Sequence, residues 1–287
     1  MKFNVTVIDP AGYRCTHFLF PLCKLLCCGL ESLGHDCSIT RNAAQRGRMP
    51  IIVGGHLLTS RRDVDAIAAS GEYIVYQTEN FENGVVDFVG RGNCYESVYV
   101  PLLARARTVW EIVSPAQVTM IANFGGRPHR LLGGYHPDME EVTPKRNKDI
   151  DFLFFGSMTP HRHAMLEMLR KRGHEIVTIQ NEADIFRNDF IARSKVHLAP
   201  KYGEQRDHFP WPRHMYLLNN KCLIVSEKCK YQEWLEDCFL WAPTEPWAEL
   251  CEQTLARSDR EQLALSFHER FKQRPFTNEL QQALDAM

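Results

Sequence analysis

The sequence predicts an α/β fold made of two domains, each built on a parallel β-sheet. Segments with the pattern of buried strands alternate with amphipathic helical segments along the chain, which is typical of parallel sheets with helical crossovers. The apolar run 150–155 is too short to cross a membrane and fits a strand buried on both faces. A polar segment with two prolines, residues 137–149, separates the two halves and has the composition of a linker.

The predicted strand 150–155 and the residues after it form the central stretch of the chain. Gly156 ends the strand, and Thr159 with Pro160 supplies a capping hydroxyl and a proline at the first helical position. We expect a helix from there to the capping residue Gly173. The amino terminus of a helix that follows a parallel strand is where open α/β sheets bind anions. The sequence therefore predicts a ligand between two α/β domains.

The first half shows the same alternation of strand and helix. The predicted strands are residues 2–8, 37–40, 50–54, 72–77, 108–112 and 130–132, and the predicted helices are 15–33, 60–69, 96–107 and a segment that starts at Ser114-Pro115. No Gly-x-Gly-x-x-Gly follows the first strand, which argues against a dinucleotide site there. This half is therefore predicted to be an acceptor domain.

Three polar side chains follow strands of this first sheet: Asp9, His56 and Glu79. Each has an ordinary alternative, because Asp9 can cap the next turn, His56 can be a solvated loop residue and Glu79 can be an exposed strand end. The carboxyl ends of parallel strands share one edge, and that edge is the binding crevice. We therefore predict Glu79 as the first candidate for a catalytic or acceptor-orienting carboxylate, followed by Asp9 and His56.

The second half continues with strands and helices after the central stretch. Strands are predicted at 175–180, 195–199, 222–225 and 238–241, and helices at 183–194, 212–219, 246–257, 259–272 and 277–287. The irregular loop 200–212 is dense in charged and aromatic residues and is typical of a binding loop. We predict domains at 1–140 and 150–287, with the alternative that the last helix packs back on the first domain.

Cationic side chains lie at the starts of two predicted helices of this half: His161 and Arg162, and Arg213 and His214. A helix dipole disfavours positive charge at its amino terminus by about 0.3–1 kcal/mol, and a bound anion reverses that cost. The alternative is that these side chains are simply solvated. Glu227 follows a strand end, where it can accept from ribose or sugar hydroxyls or cap the following helix. Two such helices in one sheet favour a phosphate or diphosphate site.

Composition limits the classes of function. The 287 residues are 44% hydrophobic and 24% charged with a net charge of −1, as in soluble globular proteins, with no overall drive toward nucleic acid. The ten cysteines form neither a disulfide framework nor a zinc pattern. No apolar run is long enough to span a membrane and no signal peptide precedes the first strand. We therefore expect free thiols and a cytoplasmic location.

These features together predict a transfer reaction. A phosphorylated donor would bind the positive crevice of the second domain, and an acceptor would bind the carboxylate-lined crevice of the first. Closure about the join would bring the two together, and fixed cations would stabilise the leaving phosphate, which is the electrostatic contribution expected in glycosyl transfer.

Several segments, in their order along the chain, resemble the glycosyltransferases with two Rossmann-like domains facing across a cleft (GT-B), in particular the branch related to the spore maturation protein CgeB. The matching segments are Tyr76-Gln-Thr-Glu79, Gly134-Tyr-His-Pro137, Asp151-Phe-Leu-Phe-Phe-Gly156-Ser with Arg162, Ala192-Arg-Ser-Lys195-Val-His-Leu, and Arg213 followed by Asn219 to Glu227. The resemblance covers most of the chain.

The resemblance implies a nucleoside-diphosphate sugar (UDP-, GDP- or dTDP-sugar) as donor and no obligatory metal. It places Gly156, Ser157 and Arg162 at a phosphate-facing turn and Arg213 on the diphosphate, and we add Lys195 and Lys201 as phosphate candidates. Many relatives carry a ribose-binding glutamate one turn after the arginine that matches Arg213. Here Tyr216 stands in that neighbourhood, so Glu227 or Glu204 would have to supply this contact.

Three alternatives stay open. The chain can be a sugar-nucleotide epimerase, a non-catalytic nucleotide or sugar-nucleotide binding protein, or a nucleic-acid-modifying glycosyltransferase of the viral type. A continuous basic patch would distinguish the last of these, with candidates at Arg41, Arg46, Arg48, Arg61 and Arg62. The acceptor can be a small molecule, a glycan, a protein or a modified nucleic acid.

Overall fold

The computed structural model describes residues 1–13, 15–81, 95–182, 184–203 and 207–287. Residue contacts divide the chain into two compact units: residues 1–134 together with 276–287, and residues 135–275. The domain limits 1–140 and 150–287 stay a prediction.

The first unit is built on a parallel sheet that has six strands within the described residues. They are Lys2–Val7 (β1), Asp36–Arg41 (β2), Met49–Val53 (β3), Ile74–Gln77 (β4), Thr108–Glu111 (β5) and Pro128–Arg130 (β6). Their order is β2-β1-β3-β4-β5-β6, and every neighbouring pair is parallel. The central strands bury both faces, which explains their nearly continuous apolar sequences.

The helices of this sheet are Phe20–Ser32 (α1), Arg61–Ala69 (α2), Val100–Arg105 (α3) and Pro115–Asn123 (α4). Two predicted helices begin with turns that are tighter or wider than those of an α-helix. The predicted helix 15–33 begins with a 3-10 turn at Thr16–Leu19, and the predicted helix 96–107 begins with a π-helical turn at Tyr95–Tyr99. The periodicity of apolar residues does not distinguish these turns from an α-helix, so the sequence could not separate them.

The second unit is built on a parallel sheet that has five strands in the part of the chain the structure describes. They are Ile150–Phe155 (β7), Ile176–Ile179 (β8), Ser194–Ala199 (β9), Ile224–Glu227 (β10) and Leu240–Ala242 (β11). Their order is β11-β10-β9-β7-β8. The helices are Pro160–Arg170 (α5), Asp184–Arg193 (α6), Trp211–Asn219 (α7), Trp247–Ala256 (α8) and Arg260–Lys272 (α9).

The last helix, Phe276–Asp285 (α10), belongs to the first unit because it packs on α1. Gly29 of α1 makes this close approach possible. A Cβ at this position would lie 2.8 Å from Cδ1 of Phe276 and 2.9 Å from Cδ2 of Leu280. The absence of a side chain on Gly29 therefore lets the two helices meet.

Three helix starts that the sequence predicts are confirmed by their caps. Ser60 accepts a hydrogen bond from the amide of Arg62 at 3.2 Å, and Ser114 accepts one from Gln117 at 3.3 Å. Thr159 accepts one from the amide of Arg162 at 3.2 Å, with Pro160 directly after it.

Two further expectations from the sequence concern membrane-spanning helices and the state of the cysteines. None of the described helices is both long and apolar enough to cross a bilayer. The nine cysteines in the described residues are free thiols, and five of them are buried. The predicted alternation of strand and helix is confirmed in both units, and with it the α/β class of two parallel-sheet domains.

Candidate functional site

The carboxyl ends of the second unit's strands lie at one edge of its sheet. Phe155 of β7 pairs with Ile179 of β8, and Ala199 of β9 pairs with Ser226 of β10. Ligands of parallel sheets bind outside this edge. We use the name carboxyl-edge site for seven residues there: Gly156, Ser157, His161, Arg162, Lys201, Arg213 and Glu227.

Arg213, in the first turn of α7, reaches the turn that follows β7. Its guanidinium carbon lies 5.0 Å from the ring centroid of Phe154 and 5.5 Å from that of Phe155. Its Nε and Nη1 are buried and have no hydrogen-bond partner among the described residues. Burial, and then the charge of Arg162, holds the pKa of Arg213 well below its ordinary value. This guanidinium therefore lacks a counter-charge within the described structure.

Arg162, in the first turn of α5, also approaches the ring of Phe154. Its guanidinium carbon is 5.5 Å from the Phe154 centroid and 5.0 Å from that of Tyr202. It donates to the carbonyls of Ser157 at 2.8 Å and Pro200 at 3.3 Å. Burial lowers its pKa to about 10. Two cations thus approach one ring, and no carboxylate in the described residues forms an ion pair with either.

The turn between β7 and α5 is shaped to admit Arg213. Gly156 has a φ of +136°, which only glycine adopts freely. A Cβ there would lie 2.3 Å from Nη2 of Arg213. The side chain that is missing at Gly156 therefore leaves the space that the guanidinium fills.

Glu227 ends β10 and has no exposed surface. Its Oε2 lies 2.8 Å from Nε2 of His161 and accepts from the amide of Lys201 at 3.0 Å. Its Oε1 accepts from the hydroxyl of Thr244 at 2.7 Å and lies 3.5 Å from Nζ of Lys201. Both oxygens are therefore already bound to groups of this unit.

Lys195 does not lie with the other predicted phosphate ligands. It is the second residue of β9, at the amino end of the strand, and its Nζ pairs with Asp151 at 2.6 Å. Asp151 is likewise the second residue of β7. The two residues are at the edge of the sheet opposite the carboxyl-edge site. Lys201, directly beyond the loop's Pro200, does lie in that site.

Tyr216, in the neighbourhood where the resemblance implies a ribose-binding glutamate, contacts other residues. Its hydroxyl lies 2.9 Å from Oε2 of Glu141 and 2.6 Å from Oδ1 of Asn188, and Arg187 stacks over its ring at 4.2 Å. This contact network belongs to α6 and the segment before β7. Glu204, the other candidate for the ribose contact, lies outside the described residues.

The first unit brings two of its three candidates together. His56, in the 3-10 turn Gly55–Leu57 after β3, has its Nε2 3.7 Å from Oε1 of Glu79, which follows β4. The His56 side chain is 1% exposed and that of Glu79 is 18% exposed. Burial lowers the pKa of His56 to about 3, so the imidazole is neutral at pH 7.

Asp9 follows β1 at the same edge but is held by structural contacts. Its Oδ1 accepts from the hydroxyl of Thr16 at 2.6 Å, and its Oδ2 lies 3.2 Å from Nη1 of Arg41. Its amide donates to Asn42 at 2.7 Å. These contacts fit the capping alternative for Asp9.

A network that the sequence did not predict holds the main chain of Glu79. The amide of Glu79 donates to Oε1 of Gln77 at 2.8 Å, and Nε2 of Gln77 donates to the carbonyl of Glu79. Gln77 is fully buried and also bonds the hydroxyl of Tyr99 at 2.7 Å and Oε1 of Gln117 at 3.1 Å. The only sequence signal is a buried-strand position occupied by an amide, which must find partners.

The two clusters offer different chemistry. The carboxyl-edge site of the second unit has buried guanidinium groups beside a helix amino terminus, which suits an anion with several oxygens. The first unit offers a partly exposed carboxylate next to a neutral imidazole, which suits proton transfer from a hydroxyl.

No protein-family model matches the sequence, and no curated protein matches it. Solved structures do match over nearly the whole chain. An alpha-glucosyltransferase in complex with UDP and a 13-mer DNA containing a central A:G mismatch matches with a TM-score of 0.65 at 10% identity, over 99% of each chain.

Two further glycosyltransferase structures are similar. T4 phage BGT in complex with its UDP-glucose substrate matches with a TM-score of 0.56 at 12% identity, over 100% of this chain and 99% of that one. AviGT4, a glycosyltransferase involved in Avilamycin A biosynthesis, matches with a TM-score of 0.57 at 12% identity, over 99% and 96%. At such low identity these similarities show the fold, which is of the GT-B type.

Proposed function

We propose that this chain is a glycosyltransferase that takes a nucleoside-diphosphate sugar as donor. The observation that carries the proposal is the pair of guanidinium groups at the carboxyl-edge site, which approach Phe154 without a carboxylate partner in the described residues. Burying cations without counter-charge is unfavourable unless a ligand supplies it. A diphosphate supplies it at the place where this fold binds ligands.

Five residues of the site have a direct role in this proposal. Arg213 and Arg162 bind the diphosphate, and the turn Gly156-Ser157 with the amino terminus of α5 approaches it closely. Lys201 adds a third cation. As the sugar leaves, these fixed charges stabilise the developing negative charge on the nucleoside diphosphate, with no obligatory metal. Lys195 is left out, because it lies at the opposite edge of the sheet.

Glu79 is our candidate for the group that orients or deprotonates the acceptor. Its carboxylate is partly exposed, its main chain is held by Gln77, and the neutral His56 lies beside it. A carboxylate at a crevice edge can accept the proton of an acceptor hydroxyl as the new glycosidic bond forms. Asp9 contributes by holding the loop after β1.

The basic residues that would mark a nucleic-acid acceptor are largely paired. Arg48 binds both carboxylate oxygens of Asp36, at 2.7 and 2.9 Å, and Arg61 pairs with Asp65 at 3.3 Å. Arg41 pairs with Asp9. Such pairing reduces the charge available to phosphates. The similarity to an alpha-glucosyltransferase solved with DNA therefore does not decide the acceptor, which in this proposal is a small molecule, glycan, protein or modified nucleic acid.

Calorimetry with UDP, GDP and dTDP tests the donor half of the proposal. We expect saturable binding of one of them, with the matching sugar nucleotides hydrolysed slowly when no acceptor is present. Binding without any turnover of a panel of sugar nucleotides would favour a binding protein of the same fold, and conversion of the sugar without release of nucleoside diphosphate would favour an epimerase. Membership of the CgeB-related branch and a cytoplasmic location stay parts of the proposal.

A further inference from the structure

Glu227 connects the loops that leave four neighbouring strands. His161 follows β7, Lys201 follows β9 and Thr244 follows β11, and all three bind the one carboxylate at the end of β10. These are four adjacent strands in the order β11-β10-β9-β7. A single buried charge thus fixes the spacing of the loops that border the carboxyl-edge site.

The contacts of Glu227 leave no room for a ribose hydroxyl. Oε2 has two partners, His161 and the Lys201 amide, and Oε1 has Thr244 and, at 3.1 Å, His161 again. The side chain is 0% exposed. A ribose hydroxyl would have to displace a donor that is already buried, and an unpaired buried donor costs about 1–3 kcal/mol.

Further hydrogen bonds join the loop of Lys201 to the start of α5, which carries Arg162. The Thr159 hydroxyl donates to the carbonyl of Tyr202 at 2.7 Å, and Arg162 donates to that of Pro200. The loop 200–202 is therefore joined to the amino terminus of α5 by these contacts and, through Glu227, by the Lys201 amide. The negative charge of Glu227 also opposes the lowering of the Arg162 pKa.

We propose that Glu227 is a positioning residue for the diphosphate of the donor, and not a ligand of its ribose. Its carboxylate orients His161 and holds Lys201 so that the amino terminus of α5, Arg162 and Lys201 face one anion. This inference rests on the proposed function, because it assigns a residue to the same donor site.

Pyrophosphate and UDP (or GDP or dTDP, if that nucleoside diphosphate is the one that binds) distinguish the two roles of Glu227, because pyrophosphate has no ribose. In Glu227→Gln the NH₂ group of the new amide faces groups that donate to the carboxylate in the wild type. We therefore expect the segments that carry His161, Lys201 and Thr244 to move apart. If Glu227 positions the diphosphate site, the dissociation constants of UDP and pyrophosphate rise by a similar factor of about ten or more. If it binds the ribose, UDP binding alone weakens, and the inference is overturned. Unchanged binding of both ligands also overturns it.

Glu252→Gln is the matched control. Glu252 is a carboxylate of the same unit that likewise binds a histidine and a cation, His174 at 3.0 Å and Arg172 at 2.6 Å, but on α8 away from the carboxyl-edge site. We expect this variant to bind both ligands as the wild type does. An equal loss in both variants would mean a general effect of removing a charge, and would contradict a positioning role.

The melting temperature shows whether Glu227→Gln is still folded, and Thr244→Val is a milder variant that tests the same role. If Glu227→Gln lowers the melting temperature strongly, Thr244→Val is used instead. It removes one of the four groups around the carboxylate (His161, the amide and Nζ of Lys201, and Thr244) and should weaken the binding of UDP and of pyrophosphate equally, by a few fold.

Arg213→Met separates the role of Glu227 from the proposed function. If it leaves the binding of both ligands unchanged, the proposed function itself fails. If it abolishes binding while Glu227→Gln and Thr244→Val do not alter it, only the role of Glu227 is wrong.

Discussion

The guanidinium of Arg213 fills the space above Gly156 that a side chain would need. A Cβ at Gly156 would lie 2.3 Å from Nη2 of Arg213. The strand end and the arginine are far apart in sequence, and the glycine is what lets them meet. The turn after β7 therefore belongs to the proposed diphosphate site, and a side chain at Gly156 would displace the guanidinium.

Gly156→Ala should displace Arg213 and weaken nucleoside-diphosphate binding. A non-glycine residue at a φ of +136° is strained by about 1–3 kcal/mol, so some loss of stability is expected as well. Gly173→Ala is the control, because Gly173 has a φ of +91° but nothing within 4 Å of its Cβ position. Both variants should melt earlier, and calorimetry should show weaker binding only for Gly156→Ala. Equal binding in the two variants would contradict the contact.

Lys195→Ala should leave donor binding within about twofold of the wild type, since its partner Asp151 is at the other edge of the sheet and exposed ion pairs contribute at most about 1 kcal/mol. Arg162→Ala should weaken binding in the same titration. A large loss in Lys195→Ala would return this residue to the donor site.

Glu79→Gln should lower the rate of transfer by about 10²- to 10⁴-fold, which is the range for loss of a general base. Nucleoside-diphosphate binding should not change, because Glu79 belongs to the first unit and the cations belong to the second. Asp9→Asn should have a smaller effect on the rate, because Asp9 is engaged with Thr16 and Arg41. Steady-state rates with an acceptor identified by screening measure transfer, and calorimetry on the same preparations measures nucleoside-diphosphate binding. An Asp9→Asn variant slower than Glu79→Gln would reverse the assignment.

His197 should make stability fall in acid. It lies in β9, where burial lowers its pKa from 6.5 to about 3. Above pH 6.5 the histidine is neutral in both the folded and the unfolded chain. As the pH falls from 6.5 toward 3, only the unfolded chain gains a proton at this residue, so the free energy of unfolding decreases by up to about 1.4 kcal/mol per pH unit.

His197→Gln should remove that part of the pH dependence, whatever it does to stability at pH 7. Urea unfolding between pH 6.5 and pH 4 measures the slope, and His163→Gln, at an exposed position of α5, is the control. An unchanged slope in His197→Gln would show that the buried histidine is protonated in the folded protein.

The sequence predicted the elements well where one local rule decides them. The strand Ile150–Phe155 is a compact apolar run, and Thr159-Pro160 gives the cap and the first helical residue without ambiguity. The 3-10 turn before α1 and the π-helical turn before α3 were not predicted, because the periodicity of apolar residues does not specify the type of turn.

The candidate site was predicted less completely. The predicted strand 195–199 already placed Lys195 at its amino end, so the strand direction excludes it from the carboxyl edge. Arg213 and Gly156 follow from the helix start and the strand end. The partners of Glu227 and Gln77 come from helices, turns and loops up to 66 residues away, and no local pattern specifies them.

The most direct test of the central claim is a calorimetric titration of UDP, GDP and dTDP into the wild-type protein and into Arg213→Met. Methionine keeps apolar contact with Phe154 and Phe155 but cannot donate to a bound diphosphate, and each charge-assisted hydrogen bond that is lost contributes about 1.5–3 kcal/mol. We predict that one nucleoside diphosphate binds the wild type and that its dissociation constant rises by at least about tenfold in the variant, at a melting temperature that is not lowered, because the ligand-free protein loses an unpaired buried cation. Equal affinity in the two proteins, or no binding of any of the three to the wild type, would contradict the claim that this site neutralises a diphosphate.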